Sequence, residues 1–303
     1  EVNHMIMGKK VNWIIDADIE GFFDHVDHHW MMEFLSQRIK DPNFKGLIYK
    51  MIKAGIMQEG IYQKTQNGTP QGGIISPILA NIYLHHVLDV WFTTYKKQLK
   101  GYVQLVRYAD DFIIGVQHRH EAEQLLEEIT KRFNKYGLLL SKEKTAIREF
   151  GRFAEENRKR RGDKKPEVIT FLGLSHYCTR TKDGRFQVKV KTSSIKMNQA
   201  IMNMNQWLKR VRNALPIKDI WKGIGLKLQG HYNYYGVSGN FESINRYYRV
   251  TQGLTHKWMN RRSRRKLSVL RMPPYKEVYH VQDIAISYRQ HPFHHPVLAR
   301  MLL

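Results

Sequence analysis

Two acidic clusters carry the clearest chemical signal in this sequence. Asp16 and Asp18 stand two apart in "DADIEGFFD", and Asp110 and Asp111 are adjacent in "LVRYADDFIIG". Each cluster interrupts an apolar run of the kind that forms a buried strand, and a buried carboxylate is costly unless it is paired or holds a metal. Side chains alternate faces along a strand, so Asp16 and Asp18 share a face, whereas Asp110 and Asp111 need not. If the two strands are neighbours in one sheet, a carboxylate from each meets at one end. Such a pair offers hard oxygen ligands suited to Mg2+. Two such ions can brace the attacking and leaving oxygens of an in-line phosphoryl displacement. Either cluster alone reads as ordinary turn aspartates. The stretch between them, "TPQGGIISP", shifts that balance: Gly72 and Gly73 let backbone approach a nucleotide or base pair closely, and Gln71 sets a flat hydrogen-bonding group beside them. Its plainer reading is a loop before a helix.

The elements that must position these residues follow from periodicity. Residues 11–19 read as a buried strand. A helix then carries Met31, Phe34, Leu35 and Ile39 on one face, and a second, over 44–56, carries Phe44, Leu47, Ile48, Met51 and Ile52. Ser76 followed by Pro77 starts a helix that runs to about residue 97. The "YADD" hairpin comes next, then a helix over 121–136 stopped by Gly137, and then a strand and turn in "LLLSKEKTAI". This order predicts an α+β fold around an antiparallel sheet. Residues 151–166, "GRFAEENRKRRGDKKP", are highly charged with little apolar periodicity and read as an exposed connector. Two strands follow, "VITFLGLSHYC" and "RFQVKV", with Asp183-Gly184 marking a hairpin turn. Beyond Ser193 three helices are predicted, the last over 241–262.

Charge separates the halves of the chain. The formal net charge is +23; residues 1–150 hold 19 basic and 18 acidic residues, and residues 151–303 hold 31 and 9. Nearly all the excess lies in the second half, which points to a polyanion partner there. Arg246, Arg249, Lys257, Arg261, Arg262, Arg264 and Arg265 interleave with Tyr247, Tyr248 and Trp258. Arginine pairs with phosphates and aromatics stack on bases. Trp258 and Tyr248 are assigned to the core, which leaves the arginines as the binding groups. Cys178 is the only cysteine, which excludes an internal disulfide and any zinc site built on several cysteines. No apolar run is long enough to span a bilayer and no basic-apolar leader opens the chain, so no membrane partner and a cytoplasmic, RNA-associated setting are expected.

Taken in order, these motifs resemble those of the group II intron reverse transcriptase/maturase family. "DADIEGFFDHVDH" is similar to the family's first palm motif, "GTPQGGIISPILANIYLH" to the second, and "YADDF" to its polymerase signature; "GLLLSKEKT" and "FLGL" follow. "LQGHYNYYGVSGN" and "HKWMNRRSRRKL" resemble the thumb and maturase region. The resemblance implies a right-hand polymerase palm over 1–150, a connector and primer-grip hairpin over 151–190, and a helical thumb/maturase domain over 191–303. It implies an RNA-directed DNA polymerase using two Mg2+ ions and dNTP substrates. Its partners would be a DNA primer or target and the intron RNA, as template and as the substrate of splicing assistance. The alternative is a non-catalytic RNA-binding maturase with the palm as scaffold.

Residue by residue, Asp18, Asp110 and Asp111 match the catalytic, metal-binding carboxylates, with Asp110 the more direct ligand and Asp111 supporting it. Ile19 offers its carbonyl to a metal. Phe23 matches the residue that packs under the incoming sugar, or is a core aromatic. Gln71 and Gly72 match the lining of the templating pair. Lys144 matches a lysine near the triphosphate, or is a surface lysine. Phe171, Leu172 and Gly173 match the primer grip. Asp16, Asp24 and Asp27 read as structural caps or hydrogen-bond partners. Only ten residues precede the first strand, so the family's fingers are expected to be largely absent and the chain to be truncated at its start.

Overall fold

Helix α1 (Val2–Gly8) leads into β1 (Trp13–Ala17), then α2 (Phe22–His25), α3 (His28–Ser36), α4 (Pro42–Lys53), β2 (Ile56–Gln58) and β3 (Ile61–Gln63). The computed structural model describes residues 1–53, 56–58, 61–63, 68 and 75–262. Helix α5 (Ser76–Leu84) begins with Pro77 in its first turn, as predicted. It continues through a five-residue π-turn (His85–Asp89), α6 (Val90–Tyr95) and a final 3-10 turn (Lys96–Gln98). Then come β4 (Val103–Tyr108), β5 (Asp111–Val116), α7 (Arg119–Lys135), β6 (Ala146–Glu149), α8 (Ala154–Arg161), β7 (Ile169–Phe171), β8 (Leu174–Arg180) and β9 (Phe186–Thr192). Three long helices close the described chain: α9 (Ser194–Val211), α10 (Ile217–Tyr235) and α11 (Phe241–Met259).

The strands form a four-stranded antiparallel sheet of order β4-β5-β1-β6, a small β2-β3 pair, and a three-stranded sheet of order β7-β8-β9. Alternation along β1 decides which face is core. Ile15, Ala17 and Ile19 join Phe112, Ile114 and Val116 in one apolar cluster, covered by Met31, Phe34, Leu35, Tyr83, Val87, Leu125, Ile129 and Phe133 from the helices. Burying each of these side chains is worth about 1.5–3 kcal/mol. This is the mixed helical and antiparallel-sheet arrangement that the motif order implies.

Two compact units emerge, one comprising Glu1–Phe171 with Cys178–Val188, the other Leu172–Tyr177 with the chain from Lys189. The second has its own core, in which Met197, Met204, Leu208, Ile220, Ile224, Leu228, Tyr247 and Trp258 join α9, α10 and α11. No described helix is long and apolar enough to cross a membrane.

Two expectations are corrected. Residues 151–166 are not simply a connector, because α8 lies within them. Glu155 and Glu156 open that helix and Arg158, Lys159, Arg160 and Arg161 end it, the order that favours the helix dipole. Arg161 pairs with the buried Glu149, and Asn157 Nδ2 donates to Glu149 Oε1 at 3.2 Å, which pins the helix to the end of β6. The single strand expected from "VITFLGLSHYC" is two strands, β7 and β8, divided where Leu172 takes a φ of 51° and Gly173 one of 74°.

Candidate active site and nucleic-acid surface

The register of the four-stranded sheet assembles the acidic face. β1 pairs antiparallel with β5, Asp16 opposite Ile113 and Ala17 opposite Phe112, so that Asp18 continues the pairing toward Asp111. Cross-strand partners share a face. Since Ala17 and Phe112 point into the core, Asp16, Asp18 and Asp111 lie on the opposite face; Ile14 and Ile113 bury the rest of that face, which opens at its end around Asp18 and Asp111. β6 adds Arg148 to that face, opposite Ile14, and its Nε stands 3.6 Å from Asp16 Oδ2. Burial pushes the Asp16 carboxyl up; Arg148 opposes that shift, while the Asp18 and Asp111 charges add to it. A structural role for Asp16 agrees with this pairing. Asp27 is the N-cap of α3, its Oδ1 accepting from Trp30 N at 3.0 Å.

Asp110 sits half-buried in the two-residue turn between β4 and β5, behind Ala109, whose φ is 54°. Tyr108 and Asp111 are the last paired residues beside it. The signature therefore presents Asp111 on the face of Asp18 and Asp110 from the turn itself.

Asp18 already holds a cation: Lys144 Nζ lies 2.9 Å from Asp18 Oδ2. The hydrogen bond and charge of Asp18, with a further contribution from Asp111, hold the Lys144 ammonium above its usual range. Among the described residues no three His, Cys, Asp or Glu side chains converge as a ready metal cage. Mg2+ does not need one, since one or two carboxylates plus substrate phosphates suffice. The carboxylates of Asp18 and Asp111 at the open end of that face, with a side-chain ammonium at Asp18, fit that kind of site. Ile19 bridges Leu140 through its neighbours, Ser141 N donating to Asp18 O at 2.8 Å and Glu20 N to Leu139 O at 2.9 Å, which leaves the Ile19 carbonyl outside that pair.

Phe22 is buried, and Phe23 beside it is only partly so, its ring edge-on to Phe22 at 5.3 Å. Gln71 and Gly72 lie outside the described residues. Gly68, just ahead of them, is described and carries a contact the sequence did not reveal. Its N–H donates to Val26 O at 2.9 Å, His28 Nε2 is 2.5 Å from its carbonyl oxygen, and its φ is 89°. A Cβ there would come within 2.6 Å of the Phe23 carbonyl oxygen and 2.8 Å of Asp24 Cα. Only glycine permits this approach, which ties the start of the glycine-rich stretch to the segment carrying Phe23.

At the predicted primer grip, Phe171 is buried at the end of β7. In the second unit, the Leu172 carbonyl accepts from Tyr234 Oη at 3.2 Å and the Gly173 carbonyl from Ser193 N at 2.9 Å. The left-handed turn is thus anchored by the start of α9 and the end of α10.

Along α11, Arg246, Arg249 and Lys257 are exposed in one stripe, continued by Arg261, while Ile244, Tyr247, Thr251, Thr255 and Trp258 are buried on the other side. The arrangement suits phosphate binding by the stripe and core packing by the aromatics. Arg262 is used differently: its Nη1 donates to Arg212 O, at the C-cap of α9, at 3.0 Å and to Leu215 O, in the loop before α10, at 2.7 Å. Arg264 and Arg265 lie outside the described residues. Arg107, Asp89 and Arg148 were not singled out in the sequence.

A family profile described as "Reverse transcriptase (RNA-dependent DNA polymerase)" matches residues 2–176. The group II intron-encoded protein LtrA of Lactococcus lactis subsp. cremoris is 29% identical over 315 residues, covering 77% of this chain and 50% of that protein. Protein YkfC of Escherichia coli is 34% identical over 143 residues, 38% of each chain. A solved apo telomerase from Candida tropicalis superposes with a TM-score of 0.47 at 16% identity, over 83% of this chain and 42% of that one. The chain spans half or less of the length of these curated relatives.

Proposed function

The chain belongs to the reverse transcriptase (RNA-dependent DNA polymerase) family, its curated relatives including group II intron-encoded proteins, and on that premise we propose that it extends a primer with dNTPs opposite an RNA template. The observation that carries this reading is the β1–β5 register, which puts Asp18 and Asp111 at the open end of one face with Asp110 in the adjoining turn.

In this reading Asp18, Asp110 and Asp111, with the Ile19 carbonyl, hold the two Mg2+ ions. When bound, those ions lower the pKa of the primer 3′-hydroxyl and neutralise charge on the triphosphate. The chain's own residues supply position. Phe23, half-buried above the core, forms the floor for the incoming sugar, and Gly68 fixes its backbone. Gln71 and Gly72 line the templating pair. Lys144, on a long exposed stem, meets the triphosphate once Asp18 has another counter-cation. The Phe171-Leu172-Gly173 turn holds the primer strand. Catalysis is then chiefly electrostatic preorganisation. The α11 stripe binds intron RNA and supports its splicing.

The Asp18–Lys144 ion pair gives a second reading weight: a palm whose carboxylate is already neutralised serves as scaffold for an RNA-binding maturase. Primer extension on an RNA template with Mg2+ separates the two. The intact chain extends the primer, and Asp110→Ala loses at least about 100-fold in rate, as expected when a metal ligand is removed. No extension by the intact chain, with salt-sensitive RNA binding retained, leaves the scaffold reading.

A further inference from the structure

Arg107 stands three residues before Asp110, and its side chain is only 13% exposed. Among the described residues its guanidinium bonds Asp89 and Asn81 of the neighbouring helix and the turn ahead of Asp110. Nε donates to Asp89 Oδ1 at 2.8 Å and Nη2 to Asp89 Oδ2 at 2.5 Å, a bidentate fork. Nη1 donates to Asn81 Oδ1 at 3.1 Å and to the Ala109 carbonyl at 2.8 Å.

The second of these contacts reaches the turn that presents the aspartate pair. Ala109 has a φ of 54°, a region that residues with a Cβ rarely occupy, so surrounding structure must hold it there. Its carbonyl belongs to the planar peptide leading into Asp110. An arginine bonded to that oxygen therefore fixes the orientation from which Asp110 departs.

The first contact explains the π-turn in the neighbouring helix. Val90 N–H donates to His85 O, five residues back, which makes this turn wider than an α-turn. In an unbroken α-helix, residues 81 and 89 stand about 80° apart around the axis. The wider turn removes most of that angle, and Asn81 and Asp89 reach the same guanidinium. The fork of Arg107, rather than a point charge, can satisfy both helix residues and the turn at once.

We propose that Arg107, held by Asp89 from the π-turn, is a positioning residue that sets the Ala109–Asp110 turn for metal binding. This rests on the polymerase reading of Asp110 and adds a residue pair that touches neither metal nor substrate. Mg2+ tolerates little departure from octahedral geometry, so a carboxylate displaced with its turn binds it less well. Groups that orient metal ligands are typically worth 10–100-fold in affinity.

The test is Mn2+ binding by the full chain, followed by electron paramagnetic resonance, beside thermal unfolding. The variants are R107Q, R107K, D89N and the R107Q/D89N double, with wild type and D110A as references. Either neutral single variant takes the bidentate partner from a half-buried charge, R107Q leaving Asp89 only His85 Nδ1 at 3.5 Å, and melts lower; the double removes both charges and recovers stability. The expected result is Mn2+ affinity weakened about 10–100-fold in all four, the double included. R107K, which keeps the charge without the fork, is expected to fail with them. Affinity that follows the melting temperature and returns in the double overturns the inference, because Arg107 would then only stabilise the sheet. Affinity undiminished in R107Q overturns it equally. A wild type with no Mn2+ binding dependent on Asp110 overturns the polymerase reading as well.

Discussion

Replacing Arg246, Arg249, Lys257 and Arg261 with glutamine removes four cations from one side of α11 and its continuation, two of which, Lys257 and Arg261, also lie over the ring of the buried Trp258 at 5.4 and 5.0 Å. The consequence for RNA binding is calculable if each neutralises one phosphate. Each such contact contributes about 0.7–0.9 to the slope of log affinity against log salt, so the variant's slope is shallower by about 3. At 0.15 M salt the same relation makes its affinity about 200- to 900-fold lower, and the two curves converge near 1 M. The assay is filter binding of intron RNA across a salt series, with melting temperature as control. Arg262→Gln is the internal contrast. Its guanidinium ties the C-cap of α9 and the loop after it through two carbonyls, so this change costs about 1–3 kcal/mol of stability and leaves the salt slope alone. An unchanged slope in the four-site variant, or a loss of affinity equal at all salt concentrations, would show that RNA does not sit on this stripe.

Two further changes probe the cores. Burial lowers His231 from its ordinary value to about 4, and its ring stacks on Tyr247 at 4.1 Å. Above pH 6.5 both folded and unfolded chains carry it neutral; as pH falls from there to 4 the unfolded chain alone takes up a proton. Stability therefore drops by about 1.4 kcal/mol per pH unit over that window from this group. His231→Phe keeps the stack and reduces the slope in urea unfolding at pH 7, 6 and 5, the buried His176, also lowered to about 4, keeping its own share; the same slope in the variant refutes the assignment. Gly68→Ala forces a Cβ to within 2.6 Å of the Phe23 carbonyl at a φ of 89°. It is expected to cost about 1–3 kcal/mol and to weaken dNTP use through Phe23, read as a raised KM in primer extension. An alanine variant with wild-type stability and KM contradicts the contact.

Strand alternation made the shared face of Asp16 and Asp18 legible in the sequence, because period two survives any tertiary context. The strand that would face them was legible only as a motif; the register that brings Asp111, rather than Asp110, onto that face is a long-range fact. Helix α8 escaped detection because it has almost no apolar stripe, only Ala154 being buried. Its signal lay in charge order, acids first and bases last, with Gly162 as the stop. The π-turn had a signature too. Ala80, Leu84, Leu88 and Phe92 are buried at a strict spacing of four, and over twelve residues a regular helix drifts about 120° from that spacing. One widened turn absorbs most of the drift. The pairing of Gly68 with His28 spans forty residues and the division at Leu172 needs a left-handed non-glycine, so neither had a local cue.

The order β4-β5-β1-β6 places the strands leading to Asp18 and Asp111 at the centre of the sheet, each with a hydrogen-bonded neighbour on both sides. An amide of β1 or β5 can meet solvent deuterium only when the ladders around it open, so these strands exchange at rates set by unfolding of the whole unit, while β4 and β6 exchange sooner. The acidic face is thus built on the slowest-breathing part of the fold. The carboxylates themselves stand at the ends of those strands and in the turn, so the strands keep the frame while the spacing of the carboxylates depends on the turn that follows them.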